Sequence, residues 1–497
     1  MSVPAVRVRV ANDRPEHARG DYVLLWTTAA RRTRRSFALD HAVARAKAAG
    51  RPLLVLEALR VGYRWASDRM HRFVLDGMAE NAARLADLGV GHHAYVEPTP
   101  GAGKRLLAAL AAHAVVVVAD DSPAFFLPHM LAAAARQVPV RLEAVDGVGV
   151  VPLAATPHAF PTAHAFRRWL QKHLPEHLAS VPAADPLARA DVGGAGVPRA
   201  VLSRWPRASR ALLEGRPEAL AALPIDHAVP PAPTRGGETA ARAALRRFVA
   251  ERLPRYGEER NDPDAEAASG LSPWLHFGHL SAHDVVLAVL AAEGRAPADL
   301  VAGGDGSREG WWGCSPAAEA FLDQVVTWRE LGHVFGHHRP DEQEAWSSLP
   351  EWAQRTLAAH ARDPRPVRYD LATLEAARTH DEVWNAAQRE LVSEGRMHNY
   401  LRMLWAKKLL EWSATPQEAL EVAFHLNHRW ALDGRDPNSA SGVCWTFGRF
   451  DRPWAPERPI FGTVRYMSSA NTKKKLDLAR YLARWGPAAA QGDLGFA

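Results

Sequence analysis

The densest concentration of potential chemistry lies in HLNHRWALDGRDPNSASGVCW (residues 425–445). There Asn427, Asp433, Arg435, Asp436 and Asn438 fall within twelve positions, and Gly434 and Pro437 enforce a turn. Carboxylates, amides and a guanidinium held at fixed geometry can grip a heterocycle edge or a ribose. An Asx-rich turn that satisfies its own backbone uses the same residues. Upstream, ERNDPDAEAASGLSPWLHFGHLS (259–281) sets Ser269, Gly270 and Ser272 before an apolar-aromatic run. Backbone N–H groups and hydroxyls there suit a phosphate at a helix start, and helix capping accounts for the serines equally. DRPWAPERPIFGTVRYMSSANTKKKLD (451–477) interleaves Trp454, Phe461 and Tyr466 with Arg452, Arg458, Arg465 and Lys473 to Lys475. That pattern suits a nucleic-acid surface as well as a solvated charge run. In RMHNYLRMLWAKKLLEW (396–412), Trp405 and Trp412 stand seven apart. This is about two helical turns, so both indoles emerge on nearly the same side, and Trp384 on the preceding helix is available to join them. Taken alone, they read as core aromatics. His333, His337 and His338 in GHVFGHH fit no metal-spacing template and read as surface histidines.

Two kinds of element must position these groups. From Tyr22 to about Val151, continuous apolar strands (22–26, 52–59, 92–97, 114–120 and 140–147) alternate with helical stretches. This is the pattern of a Rossmann-like parallel sheet covered on both faces. No GxGxxG follows the first strand, so the fold does not imply a dinucleotide. Residues 152–240 are proline-rich and read as a connector. From Thr239 the pattern is helical, with start signals at Ser281 and Thr415-Pro416 and stop signals at Gly294 and Gly395. The expected division is an arm (1–20), an α/β domain (21–151), the connector (152–240), an all-α C-terminal domain (241–485) and a tail (486–497).

The 497 residues carry 61 Lys+Arg against 55 Asp+Glu, a surplus of +6 that permits nucleic-acid binding without demanding it. Of 17 tryptophans, four precede residue 240 and thirteen follow it. Two cysteines, Cys314 and Cys444, exclude a disulfide framework and a four-cysteine metal site. With no apolar run long enough to span a bilayer and no apolar block near the start, a cytoplasmic protein is expected.

Six segments in order, LSPWLHFG (271–278), WREL (328–331), WNAAQ (384–388), MHNYLRMLWAKKLLEW (397–412), LDGRDPNS (432–439) and ERPIFGTVRYM (457–467), resemble the photolyase/cryptochrome family. The resemblance is closest to class II cyclobutane-pyrimidine-dimer photolyases and runs from about Tyr22 to about Leu482. It implies the photolyase fold, with FAD in the helical domain and light-driven repair of dimers in UV-damaged DNA by a monomer. It also implies that Tyr256, Ser269, Leu271 and Ser272 hold the diphosphate, with Asn385, Asp436 and Asn438 among the cofactor residues. Asn427 should face the flavin N5 region, and Arg402 should pair with Asp433 beside the isoalloxazine. Trp405, Trp384 and Trp412 match the family's electron relay. Trp328, Met403 and Trp445 match its dimer slot, with Arg452 among the substrate contacts.

Two features depart from the family's pattern. Where class II enzymes carry an acid four residues before the slot tryptophan, this chain has Gln324, preceded by Asp323. An amide donates N–H but cannot transfer a proton. A one-residue shift of the alignment would instead bring Asp323 to that place. AARRTRRSF (29–37) replaces a more acidic segment, so no deazaflavin or other antenna chromophore can be inferred, and Arg31 to Arg35 suit a phosphate or solvent equally. The Gln324 departure keeps a cryptochrome-type photoreceptor, or a related flavoprotein with another ligand, as the alternative.

Overall fold

The computed structural model describes residues 3–188 and 190–487, so the expected tail lies outside them from residue 488 onward. The chain divides into two compact units. One comprises residues 1–158, 171–246 and 270–303, the other 159–170, 247–269 and 304–497. Most of the proline-rich connector, together with residues 270–303, thus belongs to the first unit.

The first unit is built on β1 (Val8–Val10), β2 (Tyr22–Thr27), β3 (Leu53–Leu59), β4 (Gly91–Val96), β5 (Ala114–Asp121) and β6 (Leu142–Asp146). The strand order is β1-β6-β5-β2-β3-β4, parallel throughout except for β1 against β6. Every residue of β2 is buried, as an unalternating apolar run requires. Helices α1 (Phe37–Ala49), α2 (Asp68–Asp87), α3 (Leu106–Ala111) and α4 (Leu127–Gln137) connect the parallel strands. Ser36 caps α1 by accepting from the Leu39 N–H, and Gly50 ends it at φ 61°. The sequence reading missed β1, the short Val-Arg-Val run inside the expected arm. Pairing with β6 defines it, which no local pattern shows.

Two observations change the reading of this unit. In sheets of this kind ligands occupy the crevice where strand order reverses, here between β2 and β5. There one oxygen of Asp120 accepts the N–H groups of Thr28 (2.7 Å), Ala29 (2.8 Å) and Ala30 (3.0 Å), the donors an anion would need. The arginines of AARRTRRSF are also engaged within the unit. Arg31 pairs with Glu57, Arg34 with Glu238 and Asp185, and Arg35 with Asp284, while Arg32 donates to the Gly278 and Arg35 carbonyls. Three of the four form ion pairs within the unit and the fourth donates to backbone carbonyls, so the run is not simply solvated. The connector contributes Val197, Val201 and Trp205 to one sheet-face core, and Leu187 and Val192 to the other.

The second unit is helical. Its site-bearing elements are α5 (Pro316–Leu322), the π-turn Asp323–Trp328, α6 (Arg329–His338), α7 (Glu382–Glu394), α8 (Asn399–Trp412), α9 (Pro416–Trp430) and α10 (Pro437–Trp445). Side-chain caps fix their starts: Asp381 accepts from Val383 and Trp384, Thr415 from Glu418 and Asp436 from Asn438. Gly395 ends α7 at φ 67°. A Cβ on Gly332 would lie 2.8 Å from the Pro437 carbonyl oxygen, so this glycine lets α6 approach the start of α10 closely. Among the described residues no helix is long and apolar enough to cross a membrane.

Candidate functional site

The seven-residue spacing on α8 and the single tryptophan of α7 produce one continuous aromatic column. The Trp405 and Trp384 rings lie parallel, 6.2 Å apart at 4°, and Trp384 meets Trp412 edge-on at 5.4 Å. Their exposures of 1 %, 0 % and 3 % place all three in the interior. Neutral groups fix two of the rings: the Trp384 indole donates to the Trp405 carbonyl (3.1 Å) and the Trp405 indole to Gln388 Oε1 (2.9 Å). The column continues outward from Trp412 to Tyr369 at 5.2 Å and His380 at 5.5 Å. The Tyr369 hydroxyl is 2.6 Å from His380 Nδ1. Sequence reasoning missed this pair, because it lies outside α7 and α8 and only folding brings it to Trp412.

On the same α8, Arg402 reaches Asp433 with two nitrogens at 3.2 and 3.4 Å, a bidentate pair of the kind expected from the sequence. Asn427, buried on α9, donates to the Gly434 carbonyl (2.9 Å) and the Ser439 hydroxyl (3.0 Å). Both donors of its amide are therefore engaged, which leaves its carbonyl oxygen for a ligand. Asp436 serves as the α10 N-cap, accepting from the Asn438 N–H. The Asn385 amide makes three hydrogen bonds to Thr379, ordering the chain ahead of α7. Tyr256 is buried against Phe321 and Phe248, with Arg260 over its ring, and burial raises its hydroxyl pKa. Ser269 belongs to this unit, whereas Leu271 and Ser272 belong to the first.

Gln324, Trp328, Met403 and Trp445 are all half-buried amid otherwise buried helices. The Arg329 N–H bonds back five residues to the Gln324 carbonyl, closing the π-turn, a local irregularity often found at functional sites. Trp445 ends α10, with Lys407 and Arg465 over its ring at 5.9 and 5.6 Å. Arg465 and Arg452 each lie 4.5 Å from the Trp454 ring, so the interleaved arginines and aromatics of this segment stack on one another.

The chain is 33% identical over 484 residues to the deoxyribodipyrimidine photo-lyase of Methanothermobacter thermautotrophicus, covering 97% of this chain and 98% of that one. It is 34% identical over 480 residues to the enzyme of the same name from Oryza sativa subsp. japonica, covering 93% and 87%. The chain belongs to the photolyase/cryptochrome family. Its fold is similar to a class III photolyase of Agrobacterium tumefaciens (TM-score 0.69, 18% identity, covering 94% and 86%). It is similar also to a Synechocystis cryptochrome (TM-score 0.67, 15% identity, covering 93% and 88%). No family model matches the chain.

The two residues at the expected acidic position have different surroundings. Asp323 is buried and held by Arg167, with two guanidinium nitrogens at 2.8 and 2.7 Å from Oδ1. That carboxylate is locked in an ion pair, and Gln324 remains as the partly exposed side chain one turn from Trp328. His333 is not on the surface. It is 2 % exposed on the α6 face beside α10, bonded to the Arg329 carbonyl and 4.0 Å from Asp436. His337 is exposed and His338 half-buried. Among the described residues no group of three or more His, Cys, Asp or Glu is placed to hold a metal.

Proposed function

We propose that this chain is an FAD-dependent enzyme of class II photolyase type that repairs cyclobutane pyrimidine dimers in DNA by light-driven electron transfer. The observation that carries the reading is the unbroken Trp405–Trp384–Trp412 column, rooted in the same helix as Arg402 and Met403. Likeness over nearly full length to two enzymes named deoxyribodipyrimidine photo-lyase supports it. The working functional division is an antenna-type α/β domain over 21–151, a connector, and a helical FAD domain over 241–485, of which residues 241–246 and 270–303 pack with the first unit.

The residues fit a flavin in their chemistry. Asn427 offers a carbonyl acceptor with its donors engaged, Arg402 and Asp433 offer a charged bidentate pair, and Arg260 stands beside Tyr256 for an anionic diphosphate. FAD bound there supplies light absorption and one-electron chemistry. The protein supplies a buried path: three rigid indoles through which electrons can be drawn from the surface into the unit. Neutral hydrogen-bond acceptors hold the Trp384 and Trp405 rings without adding a fixed charge, while Trp412 lies under the Lys408 ammonium. Trp328, Met403 and Trp445 offer aromatic and thioether surface on which an extruded pyrimidine pair can stack. Gln324 offers amide N–H donors to base carbonyls where an acid would also supply a proton.

The alternative, a photoreceptor without repair, is favoured by Gln324 alone. One experiment separates the two: illumination of FAD-loaded protein, wild type and Gln324→Glu, with an oligonucleotide carrying one thymine dimer. Repair by wild type, raised in the variant, is expected. A dimer left intact by both proteins overturns the enzyme reading.

A further inference from the structure

Lys407 is a lysine that the electron path does not use, and its surroundings are unusual. It lies two residues after Trp405 on α8, is 0 % exposed, and forms no ion pair among the described residues. Its ammonium donates to the carbonyl of Thr446, the C-cap residue of α10, and lies over the ring of Trp445, the last residue of that helix. A cation at a helix C-terminus complements the carbonyl dipoles there, and a cation over an indole face is attracted by the ring quadrupole. Lys407 therefore grips both the backbone that ends α10 and the side chain that ends it. Neighbouring Lys408 has a different environment: it faces Glu411 at 2.9 Å, Asp381 at 3.6 Å and the ring of Trp412.

We propose that Lys407 is a positioning residue for the ligand slot: its ammonium fixes the orientation of Trp445, so that lesion recognition depends on the charge of a side chain that never touches DNA. The proposal rests on the reading of Trp445 as a dimer contact. A buried amine without a carboxylate partner is costly to the fold, since enclosure disfavours its charged form. The charged groups facing it are Asp451, on the turn after α10, and Arg465, which shares the Trp445 ring. Burial lowers the Lys407 pKa to about 7, with Asp451 pulling it up and Arg465 pushing it down. The grip on Trp445 is thus fully charged in mildly acidic solution and weakens as pH rises through neutrality.

The test compares binding of a thymine-dimer oligonucleotide with that of its undamaged counterpart. It uses full-length FAD-loaded wild type, Lys407→Met and Lys407→Gln, from about pH 6 to about pH 9. Wild type is expected to discriminate and to lose roughly tenfold of that discrimination as pH rises, the scale of one weakened stacking contact. Lys407→Met is expected to show the weakened, pH-independent discrimination throughout. Lys407→Gln, which keeps a donor for the Thr446 carbonyl but no titrating charge, should also be pH-independent, and it serves if the methionine variant does not fold. A flat wild-type profile, or folded variants that titrate like wild type, overturns the proposal. Wild type that binds both oligonucleotides equally at every pH overturns the lesion-binding reading itself.

Discussion

Two groups of tryptophans in the helical unit are set in opposite electrostatic surroundings. Trp384 and Trp405 are sealed in the interior, parallel, with neutral hydrogen-bond acceptors and no cation over either ring among the described residues. Trp445 and Trp454 are half-buried and faced by Lys407, Arg465 and Arg452. A cation over an indole stabilises its neutral form against electron loss, whereas a neutral, rigid stack leaves the ring free to give up an electron. The same residue type thus stands in neutral surroundings at Trp384 and Trp405 and in cationic ones at Trp445 and Trp454, and Trp412, under Lys408 at the outer end of the column, shares features of both. The difference lies in the neighbours, not in the tryptophans.

The strongest way to break this contrast is to interrupt the column at its neutral pair, Trp405 and Trp384. Trp405→Phe should reduce photoreduction of FAD-loaded protein to background while leaving lesion binding intact. Unchanged photoreduction would remove Trp405 from the path. Next in size is Arg402→Met, which leaves Asp433 without its bidentate partner. We expect a loss of about 2 kcal/mol by urea unfolding of the apoprotein, below the range for fully buried pairs because both groups keep some solvent contact. A stability equal to wild type would show the pair to be dispensable for folding. On the cationic side, Arg465→Ala should weaken binding to damaged and undamaged DNA alike and make the salt dependence shallower by about one unit of slope. An unaltered slope would assign Arg465 to Trp445 and Trp454 alone.

The smallest expected effect concerns the strap that follows Trp454. His360 lies between two carboxylates, Nδ1 2.5 Å from Asp363 and Nε2 2.9 Å from Glu457. Asp363 also accepts the Ile460 N–H at 2.8 Å. Only the imidazolium donates to both carboxylates, and the hydrogen bonds to Asp363 and Glu457 raise the His360 pKa. A raised folded-state pKa contributes stability that is fully present below the unfolded value of about 6.5 and is lost as pH rises through the folded value. Protection of residues 455–463 against hydrogen exchange, taken relative to the intrinsic exchange rate at each pH, should therefore fall on the alkaline side in wild type and vary little with pH in His360→Gln. Equal pH dependence in the two proteins would dissociate the strap from His360.

Local pattern was sufficient where a residue's role is set by its own element. The apolar runs of β2, β3 and β5, the caps Ser36 and Thr415, the terminator Gly395 and the seven-residue spacing of Trp405 and Trp412 are all of this kind. They could be read because helix and strand periodicities and capping are properties of a few consecutive residues. The partners of charged and polar groups could not be read in this way. Asn385 bonds to Thr379, His333 is buried because Gly332 draws α6 onto α10, and the arginines after Ala30 find carboxylates as far along the chain as Asp284.

The sequence by itself determined the family, the α/β and helical halves, and the spacing of the tryptophans that line up in the column. Only the tertiary structure decided that Asp323 is held by Arg167 while Gln324 is left partly exposed, and that Lys407 lies against Trp445. The physical reason is range. Hydrophobic period acts within an element, whereas a buried charge is defined by whichever distant group folding brings to it.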